Sequence, residues 1–184
     1  AICPWEGVTF EVVVVDDGST DGSREVASSF PCRVISLPQN VGAASAKNVG
    51  AQEARGEILF FTDADVIVRP VTLRLVVEGL DDPELDGVVG LLDQSCPHPD
   101  FASQFKNLWM HFTYRRQRGR VGLFFTSAAA IRREIFLSEG GFDTGYRGAS
   151  ITEDIEFGQR LLSKGFRIVG DQRLTVVHNK HYAP

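Results

Sequence analysis

The segment that most constrains the fold is Glu57–Asp65, an apolar stretch that ends in paired acids. Residues Ile58 to Thr62 are apolar or β-favouring without alternation, which predicts a strand buried on both faces of a parallel sheet. Open α/β sheets place their chemistry at the carboxyl ends of such strands. In an extended chain Asp63 and Asp65 project to the same side, where they can share a divalent cation or divide a ribose and a metal between them. The alternative is a solvated turn capped by Asp.

Other segments fit the same α/β class, because apolar runs alternate with stretches of helical periodicity. Further strands are predicted at Phe10 to Val15, Cys32 to Leu37, Asp86 to Leu92, Val121 to Ile131 and Leu174 to Val177. Five helices are predicted. The first ends near Phe30, the second begins after Asn40 and stops at Gly56, and the third runs from Pro70 to Leu80. The fourth carries the aromatic residues from Phe101 to Phe112, and the fifth follows Thr152 and ends at Gly165.

Composition and charge limit the kinds of protein that this sequence can encode. With 184 residues and 43% hydrophobic content, the chain can bury one sizeable core, which predicts a single domain over residues 1–184. A net charge of -5 argues against nucleic acid as the main partner. The three cysteines show no metal-ligand spacing and favour reduced thiols in a cytosolic setting. The absence of an initiator Met suggests a piece of a longer protein.

Two basic features have both structural and functional interpretations. Small residues open the helix after Asn40, and Lys47 adds a positive charge there; this pattern suits close approach of a ligand or, alternatively, close helix packing. Four arginines fall within Arg115–Arg120, directly after the aromatic helix. Such a run is usually a solvated face, but beside aromatic residues it also suits contact with a lipid headgroup or a diphosphate.

The acids Glu153 and Asp154 follow Thr152 at the predicted start of the last helix. The structural interpretation is capping by Thr152, with the two carboxylates favoured by the helix dipole. That dipole also predicts an ionised Asp154 at neutral pH.

Five motifs in this order resemble the family 2 glycosyltransferases, which have the GT-A fold. The motifs are Asp16-Asp17-Gly18-Ser19-x-Asp21, Asn40-x-Gly42-x-x-x-Ala46-Lys47-Asn48-x-Gly50, Gly56-Glu57-Ile58-x-Phe60 with Asp63-x-Asp65, Gly140-Gly141-Phe142-Asp143, and Thr152-Glu153-Asp154. The strand that usually precedes the first motif has no counterpart between Ala1 and Gly7, so the resemblance predicts an N-terminally incomplete domain.

The resemblance implies a Rossmann-like, mostly parallel sheet with helices on both faces, and an inverting transfer from a nucleotide diphosphate sugar, UDP- or GDP-linked. Asp17, Lys47, Asp63 and Asp65 would contact the donor, while Asp65 and Asp63 would hold Mg2+ or Mn2+. A C-terminal His completes the metal shell in some enzymes of this fold, which makes His178 a candidate ligand; a structural, hydrogen-bonded His is the alternative. Asp154, next to Glu153, would be the general base for the acceptor hydroxyl.

The acceptor implied by the resemblance is a saccharide or a lipid-linked sugar for cell-envelope polysaccharide or glycolipid synthesis. The full-length protein would then work as a cytoplasmic domain in contact with the inner face of the cell membrane. Two other functions stay open from the residues: an inactive nucleotide-sugar-binding or scaffolding module of the same fold, and a nucleotidyltransferase. The joint presence of Asp17, Asp63, Asp65, Glu153 and Asp154 argues against a module that has lost its chemistry.

Overall fold

The computed structural model describes residues 2–5, 7–116, 119–146 and 152–182. Its strands are β1 (Ile2–Trp5), β2 (Val8–Glu11), β3 (Val13–Asp16), β4 (Arg33–Ser36), β5 (Ile58–Phe61), β6 (Val66–Ile67), β7 (Gly87–Leu92), β8 (Ala129–Arg132) and β9 (Ile168–His178). Its helices are α1 (Ser23–Ser28), α2 (Ala43–Glu53), α3 (Thr72–Leu80), α4 (Phe101–Arg115), α5 (Arg133–Ser138) and α6 (Thr152–Ser163).

The main sheet has five strands in the order β5-β8-β7-β9-β6. Strands β7 and β9 are parallel, whereas β8 runs antiparallel to both β5 and β7, and β6 runs antiparallel to β9. The α/β class is therefore confirmed, but the sheet is mixed rather than mostly parallel. Strand β5, predicted to be buried on both faces of a parallel sheet, lies at one end of this strand order and pairs antiparallel with β8. Leu59 is buried, whereas Ile58, Phe60 and Phe61 are partly buried, because apolar content does not specify the position or direction of a strand.

Helices cover both faces of this sheet, as predicted. Adjacent residues of β7 point to opposite sides: Val88 packs with Val76 of α3, and Val89 belongs to a second cluster with Phe136 of α5 and Phe157 of α6. The alternation follows from the two-residue period of a strand. Each face of the sheet thus buries its own apolar layer.

The N-terminal part contains two smaller pairings. Strands β1 and β2 form an antiparallel hairpin, and β3 pairs in parallel with β4 through the crossover helix α1. The single strand predicted from Phe10 to Val15 is therefore divided at Val12, because its two halves pair with different partners. The loop after β3 and the loop before α2 lie in contact, since a Cβ at Gly18 would meet Asn40 N at 2.8 Å.

The segment predicted as a strand from Val121 to Ile131 is a strand only from Ala129 onward. Its earlier half is irregular, although Val121, Phe124 and Phe125 are buried. The N–H group of Phe124 donates to the carbonyl oxygen of Asp154 in α6 at 3.2 Å, and the N–H group of Val121 donates to the carbonyl oxygen of Ile168 in β9 at 2.9 Å. This backbone therefore bonds to two different elements. Apolar content predicted the burial of the segment but not its hydrogen-bond partners.

A cluster of five phenylalanine rings supports this irregular segment. The centroids of its contacting rings lie 5.0 to 6.1 Å apart, in tilted and edge-to-face arrangements that aromatic pairs prefer. The rings belong to Phe61, Phe124, Phe136, Phe142 and Phe157. They connect β5, α5 and α6, and they form the base on which the candidate site is built.

Candidate active site

Asp65 and His178 are brought together by the short antiparallel pairing of β6 with β9, in which Val66 lies opposite His178. His178 Nε2 lies 3.5 Å from Asp65 Oδ2, and the Asn179 N–H donates to the carbonyl oxygen of Asp65 at 2.7 Å. Burial lowers the pKa of His178, which favours the neutral imidazole that a metal requires. The distance is compatible with ligation by both residues, which stays a prediction.

Asp63 has a different partner. Its Oδ2 accepts a hydrogen bond from the hydroxyl of Ser127, in the turn before β8. In the part of the chain that the structure describes, no three His, Cys, Asp or Glu side chains form a metal-binding group. Asp65 and His178 are therefore a pair of candidate ligands, and Asp63 is not gathered with them into a three-ligand site.

A lysine lies beside this pair. Lys180 Nζ is 3.6 Å from Asp65 Oδ2, the same oxygen that faces His178. A cation bound by that oxygen would lie close to this ammonium group, so the two positive charges would compete for it. Sequence analysis did not single out Lys180, because its approach to Asp65 depends on the pairing of β6 with β9.

Asp154 is buried at the start of α6, with 2% of its surface exposed. Its carboxylate accepts a hydrogen bond from the Thr126 N–H at 3.1 Å and lies 2.9 Å from the Thr126 hydroxyl oxygen. Because a buried carboxylate without donors is costly, Thr126 is a necessary partner of Asp154. Thr126 is a supporting residue that the sequence placed only within the predicted strand from Val121 to Ile131.

Lys47 reaches from α2 into the same cluster. Its Nζ lies 2.7 Å from Thr126 Oγ1, 3.2 Å from Glu153 Oε1 and 3.4 Å from Asp154 Oδ1. The predicted positive charge at the start of α2 is thus paired with the two candidate catalytic acids. Contact of Lys47 with a donor stays a prediction, and its partners in this structure are carboxylates and a hydroxyl.

Burial raises the pKa of Asp154 to about 6, although the Lys47 charge and the Thr126 hydrogen bonds act in the opposite direction. The net shift is upward because desolvation outweighs the favourable terms, yet the ionised form, which the helix N-terminus was expected to favour at neutral pH, still predominates. At pH 7 about ten carboxylates are ionised for each one protonated. A base with a pKa near the working pH is well suited to general base catalysis.

Thr126 and Ser127 join the two halves of the site. Thr126 bonds Asp154, and the next residue, Ser127, bonds Asp63. One dipeptide thus fixes the predicted base and one of the predicted donor-binding acids relative to each other. Hydroxyl residues in the otherwise apolar turn Thr126–Ala130 are the sequence signal that points to this role.

Asp17 and Asp16 stabilise the loops around the site. The Asp17 carboxylate accepts the N–H groups of Val41 at 2.7 Å and Gly42 at 2.9 Å, directly before α2. Asp16 Oδ1 accepts the Ser19 N–H, and hydrogen bonds with Ser19 lower the pKa of Asp16. Asp17 therefore holds the loop before α2, while its predicted contact with the donor stays a prediction.

The Gly140–Asp143 motif has a structural role that depends on Asn48. The Asn48 amide donates to the Phe142 carbonyl at 2.8 Å, and Asn48 Oδ1 accepts the Phe142 N–H at 2.8 Å. A Cβ at Gly141, whose φ is +71°, would meet Asn48 Oδ1 at 2.4 Å. Only glycine fits at this position, since it allows both the positive φ and the close approach.

Comparison with known proteins defines the class of the molecule. The family model described as "Glycosyl transferase family 2" matches residues 5–139, and the chain belongs to this family. In solved structures it is similar to the mannosyltransferase PcManGT from Pyrobaculum calidifontis in complex with GDP-Man and Mn2+, with 26% identity and a TM-score of 0.66. That match covers 91% of this chain and 47% of PcManGT and confirms the predicted GT-A fold.

Two curated relatives extend the comparison. The succinoglycan biosynthesis protein ExoO of Rhizobium meliloti (strain 1021) is 43% identical over 79 residues, which are 41% of this chain and 23% of ExoO. The validoxylamine A glucosyltransferase of Streptomyces hygroscopicus subsp. jinggangensis (strain 5008) is 30% identical over 189 residues, covering 85% of this chain and 44% of the relative. The chain thus spans less than half the length of either relative.

Proposed function

We propose that residues 1–184 form the catalytic domain of an inverting glycosyltransferase, which moves a hexosyl or N-acetylhexosaminyl group from a nucleotide diphosphate sugar to an acceptor hydroxyl. The observation that carries the proposal is Asp154, a buried carboxylate with a pKa of about 6. Thr126 fixes its orientation, and Ser127 ties that position to Asp63. Family membership and the similarity to PcManGT support the same reaction class.

Asp154 acts as the general base in this proposal. It takes the proton of the acceptor hydroxyl while the acceptor oxygen bonds to the anomeric carbon, and the nucleoside diphosphate leaves with the electron pair of the broken C–O bond. A single displacement inverts the configuration. Lys47 holds Asp154 and Glu153 in place and lowers the pKa of Asp154 towards the ionised form that the step needs.

Asp65 and His178 form the metal side of the proposed site. A carboxylate oxygen and a neutral imidazole nitrogen 3.5 Å apart fit a shared cation, and that mix suits Mn2+ better than Mg2+, which prefers oxygen ligands. When bound, the cation supplies charge neutralisation for the leaving diphosphate. The Mn2+ and GDP-Man in the PcManGT complex support a divalent cation and a nucleotide sugar here.

The proposal extends to the donor contacts and the acceptor. Asp17, Lys47 and Asp63 contact a UDP- or GDP-linked donor, and the acceptor is a saccharide or a lipid-linked sugar. The name of ExoO, a succinoglycan biosynthesis protein, supports a role in cell-envelope polysaccharide or glycolipid synthesis. We place this activity in the cytoplasm, at the inner face of the cell membrane.

The test replaces Asp154 with Asn and measures nucleoside diphosphate release from a panel of UDP- and GDP-linked sugars. We expect the rate to fall by about 10²- to 10⁴-fold with donor affinity unchanged, because a general base acts on the chemical step. Glu153→Gln, which also removes a buried charge beside Lys47, is the matched control and should be milder. Loss of donor binding in Asp154→Asn would instead make Asp154 a ligand contact, and donor binding without turnover in the parent would indicate an inactive module.

A further inference from the structure

The polar face of helix α4 points inward and its apolar face points outward. Ser103, Asn107 and His111 lie at four-residue spacing and are buried. The Asn107 amide donates to the Asp93 carbonyl oxygen at 3.0 Å, and His111 Nδ1 lies 2.6 Å from the Leu92 carbonyl oxygen. Hydrogen bonds to the end of β7 therefore hold α4 in place. A surface helix of a globular protein has the opposite arrangement.

The outward face of α4 is a continuous strip of large apolar side chains, which we name the aromatic strip. Phe101 is 82% exposed, and the other members are each at least 36% exposed. The aromatic strip consists of Phe101, Phe105, Leu108, Trp109 and Phe112. Large apolar side chains exposed elsewhere in the described residues are dispersed over other elements, from Val12 to Ile155. A contiguous exposed patch of this kind marks an interaction surface, whereas dispersed exposed residues do not.

Helix α4 and the residues directly after it carry charge of one sign. Residues 101–120 carry five Lys and Arg residues and no Asp or Glu, in a chain with a net charge of -5. Arg115 and Arg116 are exposed and continue the helical spacing of the strip at its C-terminal end. Lys106 Nζ lies 4.5 Å from the centroid of the Trp109 ring, so a cation also lies within the strip. The surface is both aromatic and basic, which is the composition of a helix that binds at a membrane interface.

We propose that the aromatic strip docks α4 onto an anionic lipid bilayer, lying in the plane of the interface. Among the described residues there is no helix with the length and hydropathy needed to cross a bilayer. Charge complementarity favours anionic headgroups over a second copy of the chain. A dimer through this face would bring together two helices that carry basic residues and no acidic ones, whereas anionic lipid neutralises both the arginines and Lys106. The inference does not depend on the proposed transfer reaction, since it concerns the surface of α4 alone.

The test is co-sedimentation of the full-length protein with vesicles of phosphatidylcholine, with and without phosphatidylglycerol. We expect binding to the anionic vesicles that weakens as salt is added. Phe105→Ser/Trp109→Ser should lower the partition coefficient by about tenfold or more, because two half-exposed aromatic side chains lose their burial in lipid. Arg115→Gln/Arg116→Gln should lower it by about fivefold for each arginine at low salt.

The matched control is Phe30→Ser, which removes an aromatic side chain of 63% exposure outside α4 and should leave binding unchanged. Circular dichroism checks that each variant is folded, and the arginine pair tests the proposal separately if the serine pair unfolds. Equal pelleting of Phe105→Ser/Trp109→Ser and the parent would overturn the proposal. A dimer that this variant abolishes, with no vesicle binding by the parent, would overturn it in favour of a second copy.

Discussion

Replacing Lys47 with Met should move the pH dependence of turnover to higher pH. Lys47 Nζ lies 3.4 Å from Asp154 Oδ1, and its charge lowers the pKa of Asp154. An opposite charge at such a distance lowers a carboxylate pKa by about 1–3 units. Without it, the pKa of Asp154 rises from about 6 to roughly 7–9.

The size of the effect at pH 7 follows from the ionised fraction of Asp154. At pH 7 about nine in ten Asp154 carboxylates are ionised in the parent. In Lys47→Met the ionised fraction of Asp154 would be between about one in two, for a pKa of about 7, and about one in a hundred, for a pKa of about 9. Because only the ionised form accepts the proton, the rate at pH 7 should fall by about 2- to 100-fold and recover as pH rises above the new pKa. The assay is the pH profile of nucleoside diphosphate release at saturating donor.

Two controls isolate the charge of Lys47. Lys47→Arg keeps the cation and should leave the profile near its original position. Lys164→Met removes the cation of a surface ion pair, in which Lys164 Nζ lies 2.7 Å from Glu139 Oε2. This substitution should leave the pH profile of turnover unchanged. A profile of Lys47→Met that superimposes on the parent would refute the reasoning. An increase in the KM for donor at every pH, with no shift of the profile, would assign Lys47 to the diphosphate instead.

Three further predictions concern the proposed metal side of the site. Asp65→Asn should abolish turnover with the fold intact by circular dichroism, and full activity of the parent in excess chelator would contradict the metal role. His178→Ala should weaken Mn2+ binding in the presence of nucleoside diphosphate, as measured by calorimetry. Loss of a residue that only supports a metal ligand lowers affinity by about 10- to 100-fold, and loss of a ligand should lower it by at least as much. Lys180→Gln removes the cation 3.6 Å from Asp65 Oδ2 and should tighten Mn2+ binding by about two- to fivefold without nucleotide. An unchanged Kd for His178→Ala would show that His178 does not bind the ion, and an unchanged Kd for Lys180→Gln would show that Lys180 does not compete with the ion for Asp65.

The sequence was sufficient to predict those elements whose apolar pattern matches their burial in the folded protein. The strands β5 and β7 and the core helix α3 were predicted with bounds close to those observed. Their apolar pattern is set by packing against neighbouring elements, and the local sequence reports that packing directly. The order of the acidic motifs likewise predicted the family, which the match over residues 5–139 confirms.

The direction and partners of the strands were not predictable from local pattern. The apolar run from Val121 to Ile131 reported burial, but only the tertiary structure divides it into an irregular backbone, which bonds β9 and α6, and the antiparallel strand β8. Helix α4 shows the same limit. Its spacing predicted an amphipathic helix, while only the structure shows that the polar face is the buried one.

The chemistry of the site divides in the same way. The sequence by itself determined which residue types are present and placed Asp63 and Asp65 after an apolar strand. The tertiary structure decided that Lys47 pairs with Asp154, that Thr126 bonds Asp154, and that His178 faces Asp65. These contacts join residues far apart in the sequence, such as the 79 positions between Lys47 and Thr126. The pKa of Asp154 depends on burial and on neighbours supplied by other elements, so the upward direction of its shift could not be predicted from the local sequence.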